Sequence, residues 1–249
     1  MDSHPFGGRL LFCFLLLLLT DSAFCQESIP INTDRPDQSD GVYTLPQHDL
    51  QLETGLIYGN ASGGYFLHNT MLRYGLLTKT ELRLAIDYGL RQNAGAILPV
   101  SLSVKQAMLG QKGIIPAITA VGSIGLPFSA TSNARPGKVP ATLVLAFENE
   151  ISDQLSFSYN LGSFSDGGNS HLNWLVTANI GYSPLEKYSF FAEYFSSFVP
   201  GLRSEHNVDV GLSWLLKNNL QLDLAGGTGI FRGPEKSQFI TTGISCRFD

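Results

Sequence analysis

Acidic and basic side chains recur at alternate positions within otherwise apolar stretches of this 249-residue chain. Between Thr80 and Gly89, for example, Glu81, Arg83 and Asp87 alternate with leucine, isoleucine and tyrosine. Side chains two positions apart lie on one face of a β-strand, so these charges share a face. They can form a ladder of ion pairs or line a polar track that selects a solute, and the sequence leaves both open. The candidates are Glu53, Arg73, Glu81, Arg83, Asp87, Lys105, Glu148, Glu193, Asp209, Asp223 and Arg247.

Serine close to histidine is the other pattern that could do chemistry. Outer-membrane lipid hydrolases need both near a membrane edge, where the histidine takes the serine proton. Serine-rich loops produce such neighbours by chance, so lipid hydrolysis stays an alternative and no catalytic residue is assigned. No metal-ligand spacing such as His-x-x-x-His occurs, and we expect neither a metal nor a cofactor. The pairs are His68 with Ser62, His171 with Ser170, and His206 with Ser204.

The elements that must position the charges are about 12 segments of alternating apolar and polar residues, an even number as in single-chain bacterial barrels. A lysine or arginine facing lipid at mid-bilayer costs roughly 2 to 4 kcal/mol, so the favoured register turns the charges inward. The sequence predicts an all-β fold, a transmembrane antiparallel up-and-down β-barrel of outer-membrane type over residues 49–249. The predicted strands are 50–58, 68–77, 80–89, 99–109, 115–126, 141–150, 155–162, 172–182, 188–198, 207–214, 220–225 and 240–248.

The connections between these segments alternate between short and long. Even-numbered strands end in brief turns such as 77–80, 151–154 and 216–219, whereas odd-numbered strands end in loops rich in Gly, Ser, Asn and Pro, such as 127–140. Outer-membrane barrels have short periplasmic turns and long extracellular loops. We therefore expect both termini and the short turns to lie in the periplasm.

The N-terminus predicts export. Arg9 precedes the apolar run 10–19, and Ala23-Phe24-Cys25 resembles a cleavage site, so residues 1–25 are predicted to be a signal peptide. A run of about 10 apolar residues is too short for a helix across a bilayer core, which needs about 20. The net charge of −5 argues against a nucleic-acid partner, because phosphate binding needs a basic surface. The expected surroundings are outer-membrane lipid and, during insertion, the barrel-assembly machinery.

Residues 26–48, between the predicted cleavage site and the first strand, are polar and lack periodicity. Such a segment cannot face lipid. It either stays as an exposed periplasmic tail or folds into the lumen, where an arginine paired with a carboxylate would hold it as a plug. The motif that could do this is Thr33, Asp34, Arg35, Pro36, Asp37 and Gln38.

Six strings of the mature chain carry a family resemblance: 33–38 (TDRPDQ), 51–55 (QLETG), 72–76 (LRYGL), 81–84 (ELRL), 159–162 (YNLG) and 219–223 (NLQLD). They resemble the outer-membrane transporter family associated with the meta-cleavage (MetA) pathway of phenol degradation. The resemblance implies a barrel that passes small aromatic or hydrophobic solutes. A barrel that serves only as a structural anchor, its charges filling the core, is the alternative. One departure is the final Asp249, since a terminal aromatic residue is usual for barrel assembly.

Overall fold

Antiparallel strands form a single closed sheet in the computed structural model, which describes residues 29–91, 94–168, 171–230 and 237–248. The predicted signal peptide lies outside these residues. The strands are β1 (Leu50–Gly59), β2 (Tyr65–Leu77), β3 (Thr80–Arg91), β4 (Ala94–Ile97), β5 (Val100–Leu109), β6 (Ala117–Leu126), β7 (Ala141–Ser152), β8 (Leu155–Ser165), β9 (Asn173–Leu185), β10 (Tyr188–Phe198), β11 (Glu205–Lys217), β12 (Leu220–Gly229) and β13 (Gln238–Phe248).

The first and last strands close the barrel. β1 pairs with β13 along its whole length, from Leu50 opposite Phe248 to Gly59 opposite Phe239, and it pairs with β2 on its other side. The remaining wall strands pair with their neighbours in sequence. The pairing of β1 with β13 closes the sheet into a barrel, as a lipid-embedded sheet requires.

The short strand β4 continues the line of β5. β3 pairs with β5 near one end, where Thr80 lies opposite Gln106, and with β4 near the other, where Arg91 lies opposite Ala94. Pro99 interrupts the line because proline has no N–H to donate to a ladder. β4 and β5 therefore occupy one place in the wall, and the predicted count of 12 wall strands is confirmed for the described residues.

The two faces of the wall have inverted polarity. Glu53 and Lys105 are fully buried on the inward face, whereas Val210, Trp174 and Leu161 are between 50% and 61% exposed on the outward face. A water-soluble protein of this size would bury its apolar side chains instead. The outward face therefore fits lipid, and the fold is that of an outer-membrane barrel.

Connections differ in length between the two ends of the barrel. We call the end with the turns at 78–79, 153–154, 186–187 and 218–219 the turn end, and the opposite end, with the connections at 127–140 and 199–204, the loop end. The predicted boundaries were wrong by a few residues in places. β2 begins at Tyr65 rather than at 68, because three consecutive apolar residues, Tyr65 to Leu67, hide the alternation. In the described part of the chain, no helix is long and apolar enough to cross a membrane.

Val210→Arg tests which face meets lipid. Val210 is 61% exposed and lies near the middle of β11. We expect the free energy of unfolding, measured by urea titration in lipid vesicles, to fall by about 2 to 4 kcal/mol. Leu202→Arg, in the connection before β11, is the control and should change it little. Equal losses in both variants would contradict the assignment of the outward face.

Candidate functional site

Residues 29–48, which we call the inner segment, run through the lumen. Near its start, the Ile31 N–H donates to the carbonyl oxygen of Asn218 in the β11–β12 turn (2.6 Å). At its exit, the His48 N–H donates to the Gly75 carbonyl of β2 (2.7 Å). The segment has no helix or strand, so contacts with the wall hold its shape. It enters and leaves at the turn end and fills that half of the barrel.

Asp34 makes the most highly charged contact between this segment and the wall. Its carboxylate forms ion pairs with Arg83, with Lys105 (3.0 Å from Nζ to Oδ1) and with Arg73 (3.6 Å). The Gly41 N–H donates to the same group (2.9 Å). We call this cluster the Asp34 anchor. It joins one carboxylate of the inner segment to three cations of β2, β3 and β5.

The three cations of the Asp34 anchor also bind carboxylates of the barrel wall. Arg73 lies 2.5 Å from Glu53 and 2.7 Å from Glu81, and Arg83 lies 2.7 Å from Glu81. Burial alone would raise the pKa of Asp34, but Arg83, Lys105 and Arg73 outweigh burial and hold that pKa well below its usual range. The three cations therefore favour the ionised form of Asp34 in the seated segment.

Arg35 makes a second contact on another side of the lumen. Its Nη2 lies 3.1 Å from Asp223 Oδ1 on β12 and donates to Thr241 Oγ1 on β13 (3.0 Å). The guanidinium lies over Gly55 and Gly243, which are opposite each other in β1 and β13. A Cβ on Gly55 would lie 2.2 Å from Arg35 Cζ, so only glycine leaves room there. We call this contact the Arg35 anchor.

Residues 37–40 contact the third side of the lumen. Asn179 of β9 donates to Asp37 Oδ2 (2.5 Å). Glu193 of β10 accepts from the Gln38 N–H (2.8 Å) and from the Ser39 hydroxyl. These contacts are hydrogen bonds between neutral donors and acidic acceptors, without a basic side chain.

Ser39 and Asp40 make the remaining contacts of this third group. The hydroxyl oxygens of Ser39 and Thr177 are 2.5 Å apart. The Asp40 N–H donates to Asn160 Oδ1 (2.7 Å), and Asn160 Nδ2 donates back to the Asp40 carbonyl (3.0 Å). The Asp40 side chain reaches Arg83 (2.9 Å). We call the contacts of residues 37–40 with β8, β9 and β10 the 37–40 seal.

Asp209 adds a third acid beside this seal. It lies opposite Glu193 in the register of β10 and β11, is 3% exposed, and neither of its carboxylate oxygens has a hydrogen-bond partner among the described residues. Burial, together with Glu193, Asp34 and Asp209, raises the pKa of Asp37 well above its usual range. The seal thus gathers three acidic side chains, Asp37, Glu193 and Asp209, and none of them forms an ion pair among the described residues.

The remaining predicted residues lie at the margins. Asp87 accepts from Asn69 (2.5 Å) on the loop-end side of the inner segment, and Glu148 faces a cavity described below. Arg247 lies at the turn end, where it donates to the Ile29 carbonyl (2.7 Å) and pairs with Asp49 (3.4 Å). Thr33 accepts from Gln221, and Pro36 borders the same cavity as Glu148. A role of any of these residues in solute binding stays a prediction.

Neutral polar residues were missed by sequence reasoning. They lie on the inward faces of the predicted strands, at the same alternate positions as the charged candidates. Selecting every polar residue on those faces, rather than the charged ones alone, would have found them. They are Gln51, Thr119, Asn160, Thr177, Asn179 and Gln221.

A cavity of about 250 Å³ lies between the inner segment and the wall at the turn end. At the rim, Ser183 and Ser189 bond each other in an exposed position, and at the inner limit the cavity meets Asp37 and Asn179. A second cavity, of about 340 Å³, lies at the loop end beside Asp87 and below the connection that contains Pro136. The wall of the first cavity is lined by Ser156, Ser158, Ser183, Ser189 and Ser213.

Two histidines contact wall residues in the described part of the chain. His68 contacts Thr54 (2.9 Å), and His206 contacts the Tyr194 hydroxyl (2.6 Å) and Ser196 (3.0 Å). Ser196 is 4% exposed, and its hydroxyl donates to the carbonyl of Glu205 (2.7 Å), so it is poorly placed as a nucleophile. Ser170 and the side chain of Ser62 lie outside the described residues. Within the described ranges, no three His, Cys, Asp or Glu residues are arranged to hold a metal ion.

Residues 33–248 match the family described as "Putative MetA-pathway of phenol degradation". No curated protein matches the chain. The fold is similar to that of an outer membrane channel from Pseudomonas putida F1 (TM-score 0.63, 11% identity, 86% of this chain and 100% of that chain covered). It is also similar to the KdgM porin in complex with disordered oligogalacturonate (0.60, 11%, 80% and 99%) and to the NanC porin (0.56, 9%, 78% and 98%). At these identities the similarity shows the fold.

Proposed function

The chain belongs to the MetA-pathway phenol-degradation family, and from that premise we propose that it is an outer-membrane channel for small aromatic or hydrophobic solutes, with the inner segment as its internal gate. The observation that carries the proposal is the seating of residues 29–48 inside a closed, polar-lined barrel. The family supports the class of solute. The P. putida channel and the two porins, which share the fold, support conduction.

The contact pattern favours an inner segment that acts as a gate over one that only fills the barrel core. A barrel that only needed a filled core could use apolar or paired residues on its own wall, as small barrels do. Here the wall charges point at a separate segment, and Asp34 and Arg35 join it to opposite charges on four strands. A segment held by polar contacts beside a 250 Å³ cavity can shift without unfolding the wall.

The proposal also assigns an orientation. The turn end lies in the periplasm and the loop end outside the cell, as short turns and long loops do in outer-membrane barrels. Export through the predicted signal peptide and insertion by the barrel-assembly machinery complete this picture. A solute would enter near the 127–140 connection and leave at the serine-lined rim. The proposal includes no catalytic role.

Single-channel recording in planar bilayers tests the proposal. We expect the full mature protein to show small discrete openings that added phenol reduces, because an aromatic solute in the narrow path displaces ions. Purified barrel with intact β-structure by circular dichroism that stays silent would overturn the proposal and favour the structural-anchor alternative. Release of fatty acid from phospholipid vesicles by the same preparation would instead favour the lipid hydrolase.

A further inference from the structure

We propose that the gate opens on one side only: residues 37–40 move away from β8–β10 while the Asp34 and Arg35 anchors stay in place, so that the solute path passes through the serine-lined cavity. This inference rests on the proposed function and names the route and the moving part within it. It follows from how the three groups of contacts differ in charge and in the room beside them.

The three groups of contacts are unequal in strength. Asp34 and Arg35 each meet opposite charges in buried positions, and charge-assisted hydrogen bonds are about twice as strong as neutral ones. Asp40 pairs with Arg83 of the Asp34 anchor (2.9 Å), but that pair lies on the anchor side; across the described residues, Asp37, Glu193 and Asp209 form no ion pair with a basic side chain. Removing one partner from a buried ion pair is costly, whereas separating hydrogen bonds that include no basic side chain, and that water can replace, costs less. The 37–40 seal is therefore the first contact to yield.

Ionisation of Asp37 also opposes closure of the seal. Asp37 faces Glu193 of β10, Asp209 of β11 and Asp34 of its own segment, with the neutral Asn179 of β9 as its hydrogen-bond donor. Because the closed position raises the pKa of Asp37, closure is favoured while Asp37 is protonated and weakens as the pH rises and Asp37 ionises. Like charges on the segment and the wall then push the two apart.

The cavity lies directly below this seal. Thr177 is farther from the turn end than Asn179, and Glu193 lies opposite Asn179 in the register of β9 and β10, so their contacts with Ser39 close the cavity toward the loop end. Short serine side chains leave space on this side, whereas Arg73, Arg83 and Lys105 fill the opposite side. A displacement of residues 37–40 would join the cavity to the loop-end half of the lumen.

Two cross-links distinguish one-sided opening from release of the whole segment. Ser39→Cys with Thr177→Cys, closed as a disulfide, locks the seal, since the two hydroxyl oxygens are 2.5 Å apart. Thr33→Cys with Gln221→Cys, joined by a short bifunctional thiol reagent, locks the part of the segment next to the Arg35 anchor, where Gln221 Nε2 lies 2.8 Å from Thr33 Oγ1. Both pairs are made in Cys246→Ser protein, and cross-linking is verified by thiol titration.

We expect the Ser39–Thr177 disulfide to abolish single-channel conductance and reduction to restore it. The Thr33–Gln221 cross-link, which borders the cavity, should retain discrete openings of reduced size. Loss of conductance with both cross-links would overturn the inference in favour of whole-segment release. If neither cross-link reduced conductance, the 37–40 seal would not lie on the solute path, and the inference would be wrong. A silent wild-type channel would instead overturn the proposed function itself.

A second pair of variants tests the path without cysteines. Ser158→Trp places an indole in the cavity, and we expect several-fold lower conductance with the barrel intact. Leu161→Trp, on the outward face of the same strand and 50% exposed, is the matched control and should conduct normally. Equal conductance of the two variants would show that the solute does not use the serine-lined side.

Discussion

Asp34→Asn is expected to release the inner segment and to convert small openings into large ones. Asparagine keeps an oxygen for the Gly41 N–H but places an NH₂ group where Arg83 and Arg73 need a negative charge. Lys105 and Arg83 then remain buried with one acid fewer. Because the wall carboxylates already pair with Arg73, they cannot replace Asp34 for all three cations.

The expected size of this effect follows from the cost of breaking a buried ion pair. Removal of one partner costs about 3 to 5 kcal/mol, which corresponds to a shift of about a hundredfold or more toward the released segment. Release also allows water to reach Arg73, Arg83 and Lys105, so the wall itself loses little stability. The effect should therefore appear in conductance rather than in unfolding of the barrel.

Planar-bilayer conductance and limited proteolysis of residues 29–48 measure the release. Asp153→Asn, in the exposed β7–β8 turn, is the control for the change of charge. Lys105→Gln combined with Asp34→Asn should be non-additive, because the two residues share one ion pair. Wild-type conductance and protease resistance in Asp34→Asn would show that the Asp34 anchor does not hold the segment.

The barrel itself was predictable from the sequence because lipid imposes a strict rule on its wall. Charges cannot face hydrocarbon, so the alternation in 80–89 determines both the strand and its inward side. The rule fails where alternation is absent. Tyr65 to Leu67 extended β2 beyond its predicted start, and Ala94 to Ile97 formed β4 within a predicted loop, because small and apolar residues carry no period-2 pattern.

The arrangement of the site was less predictable, and the reason is geometric. Sequence reasoning named the inward charges and the 33–38 motif, but it left open whether the motif enters the lumen. Asp34 and Lys105 are 71 positions apart and Arg35 and Asp223 are 188 apart. Alternation gives the direction of each side chain but not its height along the barrel, so it cannot pair residues on different strands. The contacts of the neutral residues Asn179 and Thr177 could not be predicted for the same reason, because their height along the barrel is not given by the alternation.

Gly55→Ala should detach Arg35 without changing any charge. The added methyl group would lie 2.2 Å from Arg35 Cζ and 2.5 Å from Nη1, so the guanidinium must move. Moving it separates Arg35 from Asp223 and Thr241 and leaves the Asp223 carboxylate buried without its cation. Gly243→Ala would also approach the Thr54 carbonyl oxygen at 2.7 Å, so Gly55 is the cleaner position.

The loss of hydrogen bonds to a charged group costs about 1.5 to 3 kcal/mol, which predicts a shift of about tenfold to a hundredfold toward the detached segment. Conductance of Gly55→Ala should rise to that of Arg35→Ala, because both lose the same anchor. In an Arg35→Ala background, Gly55→Ala should have no further effect, since the methyl group then meets no guanidinium. Gly122→Ala, where a Cβ meets nothing within 4 Å, controls for the loss of a strand glycine. If Gly55→Ala raised conductance equally with and without Arg35, the substitution would act on the wall itself. The Arg35 guanidinium would then not depend on the space above Gly55 and Gly243.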